Sequence, residues 1–179
     1  MTRHLSLAAM LAALASHSAA QAPEPRDTSH AGGPRRPVRE TVACEISRLV
    51  DGDTIECREQ GRVRLIGIDT PELSQEPFGA MAQAALTDLL DSTAIVALEP
   101  DVEARDRYGR LLAYVWVDST MINWALIHRG WAVLLTYPPN VQYVDDFTKA
   151  QRLAREAGVG LWGVGGFECL PRDRRRGRC

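Results

Sequence analysis

The sequence predicts a small, mainly β domain of the α+β class, for three reasons. Five short strand-like segments lie between residues 42 and 117, separated by turn signals. One helical segment interrupts these strands and two more follow them, unlike the regular alternation that builds parallel sheets. The chain has 179 residues, of which 45% are hydrophobic and 25% charged, so it is long enough for one domain and hardly for two.

The first three strands form an antiparallel meander. The Asp-Gly of Asp51-Gly52-Asp53 is a strong hairpin signal between strands 42–50 and 54–57. A second turn at Gly61 precedes a strand over 63–68, and Pro71 ends that region because proline lacks a backbone N–H. Further strands are predicted over 94–98 and 111–117.

Three helices complete the predicted fold. Apolar residues recur with helical spacing over 79–90, 121–129 and about 145–157, and the last two segments are followed by Gly130 and Gly158. Five strands with three helices fit a five-stranded Greek-key barrel of the OB-fold type. This architecture often binds oligonucleotides across one face.

The ends of the chain are predicted to lie outside this domain, which spans residues 42–166. Residues 1–20 have a basic start, a short apolar run and the small residues Ser18-Ala19-Ala20, as in a signal peptide; an N-terminal amphipathic helix is the alternative. We therefore expect export to a periplasm or the medium, and no membrane span. Residues 21–41 are predicted to be a flexible leader.

Export affects the interpretation of the four cysteines, because an oxidising compartment favours pairing. Four cysteines allow three connectivities, and the sequence does not choose among them. Our hypothesis pairs Cys44 with Cys57 across the first hairpin, and Cys169 with Cys179 in the tail. Four free thiols or a zinc site are alternatives, although no Cys-x-x-Cys pair supports zinc.

The net charge of −2 argues against a protein whose main role is to coat nucleic acid, because such proteins are usually strongly basic. Arginines are instead concentrated in the tail over residues 167–179. That tail either holds polyphosphate loosely or is a solvated, disordered end.

Two aspartates are predicted to share one edge of the meander. Asp53 begins the second strand and Asp69 ends the third, and these two ends meet in an antiparallel sheet. Their carboxylates and the backbone carbonyl of Thr70 are hard oxygen ligands of the kind that Ca²⁺ prefers. The alternative for each aspartate is an ordinary residue of a turn, with no role in metal binding.

Two arginines and a glutamate accompany these acids. Arg64 interrupts an apolar strand, and Arg64 and Arg110 each offer planar, bidentate hydrogen bonds to phosphate oxygens. Glu72 follows Pro71 and is placed to orient or deprotonate a water molecule. Alone, Arg64 would be read as a residue reaching solvent and Glu72 as a surface turn residue.

Together, three segments resemble the staphylococcal nuclease (thermonuclease) family over residues 42–162. They are Asp-Gly-Asp-Thr at 51–54, Arg-x-x-x-x-Asp-Thr-Pro-Glu at 64–72, and Asp-x-Tyr-Gly-Arg at 106–110. The resemblance implies a calcium-dependent hydrolase that cleaves DNA and RNA and leaves 3′-phosphate ends. No obligate protein partner is evident from the sequence.

The resemblance also implies residue roles. Calcium ligands would be Asp53, Asp69 and Thr70, and the catalytic residues would be Arg64, Glu72 and Arg110. Substrate contacts would come from Arg107, Tyr108 and Tyr137. Tyr137 stands where well-known family members have two tyrosines, so weaker base stacking is expected.

Two other functions remain open from the sequence. One is an OB-fold module that binds nucleic acid without cutting it, against which the presence of Arg64, Glu72 and Arg110 argues. The other is a calcium-binding structural protein. Such a protein would have no use for Arg64 and Arg110 beside its metal, because two cations there are unfavourable unless an anion lies between them.

Overall fold

The structure is a computed structural model that describes residues 32–36, 40–90 and 93–179. The predicted signal peptide and most of the predicted leader lie outside these residues. Within the described part of the leader, Arg36 Nη1 donates a hydrogen bond to the Asp118 carbonyl oxygen at 3.1 Å. No helix in the described ranges is long and apolar enough to cross a membrane.

The core of the domain is a closed five-stranded barrel, which confirms the predicted fold class. Its strands are β1 (Val42–Leu49), β2 (Thr54–Cys57), β3 (Gly61–Leu65), β5 (Ile95–Glu99) and β6 (Leu111–Val117). Antiparallel pairings join them in the order β3-β2-β1-β5-β6, and a parallel pairing of β3 with β6 closes the barrel.

The third predicted strand is divided in two, unlike the single strand expected over 63–68. β3 ends at Leu65, and β4 (Gly67–Asp69) pairs instead with β8 (Val133–Leu135), outside the barrel. Gly67 has φ +79°, and a Cβ there would lie 2.6 Å from the ring of Phe147. Glycine is therefore needed both for the left-handed backbone and for the close approach.

Each of the three predicted helices is present, with bounds within one residue of those expected. They are α1 (Phe78–Leu90), α2 (Ile122–His128) and α3 (Val144–Ala157). A short strand β7 (Thr120–Met121) precedes α2, and a fourth, four-residue helix α4 (Pro171–Arg174) lies in the tail. Neither of these two elements was predicted from the sequence.

Helix α2 is fixed against the divided strand by a buried asparagine. Asn123 is fully buried; its Nδ2 donates to the Ile66 carbonyl at 2.9 Å, and its Oδ1 accepts from the Val115 N–H at 2.8 Å. Ile66 lies between β3 and β4, so Asn123 satisfies a carbonyl that the strand break would leave unpaired. These hydrogen bonds of Asn123 fix the path of the backbone between Arg64 and Asp69.

The structure joins Cys44 to Cys57 and Cys169 to Cys179, and the described residues contain no free cysteine. The first disulfide links β1 to β2, with Cα atoms 5.5 Å apart. The second closes the tail around α4, with Cα atoms 5.9 Å apart. The tail is therefore a folded loop in this structure.

Candidate active site

The site begins where the turn before β2 meets the end of β4. The Asp53 N–H donates to Asp51 Oδ1 at 3.0 Å, which shapes the turn. Asp53 Oδ2 accepts two hydrogen bonds from Thr70, from the N–H at 2.9 Å and from Oγ1 at 3.1 Å. Asp53 and Thr70 are both buried, so these bonds fix the two segments against each other.

Arg64 lies between the two predicted metal-binding carboxylates. Its Nη2 is 3.0 Å from Asp53 Oδ2 and 3.5 Å from Asp69 Oδ1. The same guanidinium donates to the carbonyl oxygens of Leu65 and Ile68, the second at 2.8 Å. Its side chain is only 14% exposed, so Arg64 does not simply extend into solvent.

This corner of the domain has an excess of poorly solvated negative charge. Burial raises the pKa of Asp69, the Arg64 guanidinium opposes that rise, and the Asp53 carboxylate adds to it. Burial, reinforced by the charge of Asp53, raises the pKa of Asp51 to about 6. A cation bound among these groups would lower the free energy of their ionised forms.

Glu72 is placed by a turn that leads into α1. Its carbonyl accepts from the Gln75 N–H at 2.8 Å, and its own N–H donates to Gln75 Oε1 at 3.0 Å. A Cβ on Gly79 would lie 2.2 Å from the Glu72 carbonyl oxygen, so only glycine allows the helix to begin this close. The Glu72 side chain remains 40% exposed.

Arg110 is held by Asp106 at the opposite end of a tight turn. Asp106 Oδ1 accepts from the N–H groups of Tyr108 at 2.9 Å and Arg110 at 3.0 Å, and Oδ2 accepts from Arg110 Nε at 2.8 Å. Burial raises the pKa of Asp106, but the hydrogen bonds from Arg110 outweigh burial and leave that pKa below its usual value. Asp106 therefore binds Arg110 in its charged form.

These segments border a single open cleft of about 590 Å³. Tyr108 and Tyr137 are 69% and 67% exposed, so their rings are available to a ligand. Thr70 is buried and does not line the cleft; it contacts the site through Asp53. The other predicted catalytic, metal-binding and substrate-binding residues all line it: Asp53, Arg64, Asp69, Glu72, Arg107, Tyr108, Arg110 and Tyr137.

Arg175 also lines this cleft, and the sequence analysis did not identify it. Its Nη2 is 2.9 Å from both carboxylate oxygens of Asp69, and its Nη1 is 2.6 Å from Glu72 Oε1. The only indication in the sequence was the group of arginines between Cys169 and Cys179, the two cysteines that were expected to pair. Only the tertiary structure shows which of them reaches the site.

The residues around Asp69 fit a hard divalent cation. They supply carboxylates, and the positively charged guanidinium of Arg175 lies against Asp69, where a metal ion bound to that carboxylate would also lie. No group of three or more His, Cys, Asp or Glu side chains arranged for a metal occurs in the described residues. A cation here would therefore need backbone, water or substrate oxygens besides Asp53 and Asp69.

Fold and site together define an OB-fold protein whose cleft combines paired carboxylates with several arginines. Residues 62–164 match the family described as "Staphylococcal nuclease homologue". The chain belongs to the staphylococcal nuclease family.

Individual relatives agree with this assignment. The thermonuclease of Staphylococcus intermedius is 39% identical over 125 residues, which are 65% of this chain and 74% of that protein. The thermonuclease of Staphylococcus hyicus is 36% identical over 126 residues, which are 66% and 74% of the two chains. The SPbeta prophage-derived endonuclease YokF of Bacillus subtilis (strain 168) is 35% identical over 138 residues, 72% of this chain. This chain spans about half of YokF, 47% of its length.

Proposed function

We propose that this chain is an exported, calcium-dependent nuclease that hydrolyses phosphodiester bonds of DNA and RNA and leaves 3′-phosphate ends. The observation that carries the proposal is the convergence of Arg64, Arg110, Glu72 and the two aspartates on one open cleft. Family membership and the names of the relatives, thermonuclease and endonuclease, support a nuclease.

The cations of the cleft suit a polyanionic substrate although the chain carries a net charge of −2. Arg64, Arg107, Arg110 and Arg175 all line it, so the positive charge is local. Acidic residues line the same cleft, so the arginines act on a phosphate by direct hydrogen bonds and ion pairs and not through a net positive field. The exposed rings of Tyr108 and Tyr137 would stack on sugar or base.

In the proposed reaction a water oxygen attacks phosphorus and the bond from phosphorus to the 5′ oxygen breaks. Glu72 takes a proton from the attacking water, and Arg64 and Arg110 donate hydrogen bonds to phosphate oxygens as negative charge builds on them. Arg110 donates a hydrogen bond to the leaving 5′ oxygen, which takes its proton from solvent water, and Glu72 returns the proton that it accepted to solvent. The products are a 3′-phosphate and a 5′-hydroxyl.

Asp53, Asp69 and the Thr70 carbonyl are the proposed calcium ligands; the two aspartates line the cleft, whereas Thr70 does not, so its carbonyl is the ligand that would need a local adjustment of the backbone. When bound, the cation would act as a Lewis acid that neutralises phosphate charge and lowers the pKa of a coordinated water. Asp53 Oδ2 already accepts two hydrogen bonds from Thr70 and lies 3.0 Å from Arg64 Nη2, so Oδ1 is the oxygen of Asp53 that would bind the cation.

The signal-like pattern of residues 1–20 and the two disulfides support export, because disulfides are typical of oxidising compartments. The proposal includes no protein partner.

The catalytic assignment is tested with Arg64→Ala, Glu72→Ala and Arg110→Ala. Each variant should lose roughly 10²–10⁴-fold in turnover of heat-denatured DNA with calcium present, because each removes a group that acts in the transition state. Folding, followed by circular dichroism and urea unfolding, should persist. Arg48→Ala is the control, because Arg48 is exposed on barrel strand β1 and lies away from the cleft and from Tyr108 and Arg110.

Near-wild-type turnover in one variant would remove that residue from the mechanism. A wild-type protein that binds DNA and calcium but never cleaves would instead favour the nucleic-acid-binding module.

A further inference from the structure

The C-terminal loop places one of its arginines on the carboxylates of the proposed calcium site. Arg175 contacts both oxygens of Asp69 at 2.9 Å and Glu72 Oε1 at 2.6 Å. Asp69 is only 1% exposed, whereas the Arg175 side chain is 38% exposed. The contact therefore joins a tail residue that reaches in from the surface to a buried acid.

The loop holds this arginine in a defined position. The Cys169–Cys179 disulfide closes the loop, and the Arg175 N–H donates to the Pro171 carbonyl at 3.0 Å at the end of α4. Pro171 is buried, and a backbone hydrogen bond from Arg178 to Asp173 at 3.0 Å completes the turn. Arg175 is thus presented by a folded segment.

The guanidinium and a metal ion would need the same oxygens. Asp69 uses both carboxylate oxygens for Arg175, and an oxygen that accepts from a guanidinium is not free to bind a cation at full strength. Arg64 Nη2 also lies 3.5 Å from Asp69 Oδ1, so a metal ion would be a third cation at this carboxylate and would repel the Arg175 guanidinium. Metal binding therefore requires that Arg175 weaken or leave its contact with Asp69.

We propose that Arg175 is a tethered internal cation that competes with calcium for Asp69 and so sets the affinity of the site for metal. Its guanidinium lies against Asp69 and Glu72, and calcium must displace it from Asp69 to bind there. The inference rests on the proposed function, because it assumes that Asp69 is a calcium ligand.

The test is the calcium affinity of the metal-free full chain, measured by isothermal titration calorimetry without nucleic acid. Arg175→Ala should bind calcium about tenfold more tightly than the wild type. The Arg175 guanidinium is partly exposed, so solvent screens part of its charge, but Asp69 is buried and the competition at its oxygens remains substantial. The matched control is Arg176→Ala, which removes the same charge from an exposed residue of the same loop. Its affinity should stay within about twofold of the wild type, because exposed charges are screened over short distances.

Equal calcium affinities in Arg175→Ala and Arg176→Ala would overturn the inference. Weaker calcium binding in Arg175→Ala than in the wild type would also overturn it, because Arg175 would then stabilise the calcium site and not compete with the metal. If the wild type binds calcium and cleaves DNA while Arg175→Ala binds no more tightly, the inference fails and the proposed function stands. If neither protein binds calcium, the calcium-dependent function fails together with the inference.

Discussion

Asp106 holds the Arg110 side chain through one hydrogen bond, and Asp106→Asn is expected to loosen it without unfolding the loop. An asparagine keeps a side-chain oxygen in the place of Oδ1, which accepts hydrogen bonds from the N–H groups of Tyr108 at 2.9 Å and Arg110 at 3.0 Å. Its amide nitrogen, however, would face Arg110 Nε, now 2.8 Å from Oδ2, with a donor against a donor. The substitution therefore isolates the orientation of Arg110.

The magnitude follows from this contact. A hydrogen bond to a charged group contributes about 1.5–3 kcal/mol, and partial exposure of both side chains, 30% and 17%, reduces this to about 1–2 kcal/mol. If that free energy serves to position Arg110 in the transition state, kcat should fall about 5–30-fold. Loss of a negative charge beside the cleft should leave KM unchanged or lower it.

The assay is steady-state cleavage of heat-denatured DNA with calcium, with urea unfolding as the folding check. Asp118→Asn is the control, because Asp118 is an exposed turn residue and its φ of +50° suits asparagine. In an Arg110→Ala background, Asp106→Asn should lower kcat little further, because the side chain that Asp106 orients is already absent. An unchanged kcat in the folded Asp106→Asn protein would refute the positioning role.

Three further predictions concern stability and binding. Gly52→Ala should lower the free energy of unfolding by about 1–3 kcal/mol in urea titrations, since its Cβ would lie 2.8 Å from Thr70 Oγ1; an unchanged midpoint would contradict this contact. Replacing Cys44 and Cys57 by alanine should cost about 2–4 kcal/mol by the same measurement, and equal stability would argue against a bridge in the purified protein. Tyr108→Ala should weaken the binding of single-stranded DNA by about 1–3 kcal/mol in fluorescence titrations, whereas Tyr108→Phe should not; equal losses in both would exclude stacking.

Most of the barrel was predictable because its signals are local. The Asp-Gly turn between two strand-like runs defines the hairpin, and glycines after α2 and α3 mark helix ends. The break between β3 and β4 was missed because residues 63–68 read as one apolar strand. Gly67 was its signal, but the need for glycine arises from Phe147, far along the chain.

The site shows the same division between local and long-range information. The predicted meander places Asp53 opposite the end of β3, but Asp69 lies on β4 beyond the strand break, so its position beside Arg64 and Asp53 also depends on the turn at Gly67, which was not predicted. Arg175 was missed because its contact with Asp69 spans 106 residues of sequence, and several neighbouring arginines have the same local pattern. Choosing among them requires the disulfide loop and α4, which are tertiary features.

The most direct test of the proposed reaction is the digestion of heat-denatured DNA by the mature protein, with calcium and then with a chelator, followed by analysis of the product ends. We predict cleavage with calcium, loss of cleavage with the chelator, and 3′-phosphate ends. Undiminished cleavage in the chelator, or a folded, calcium-loaded protein that binds this DNA and leaves it intact, would contradict the proposed function.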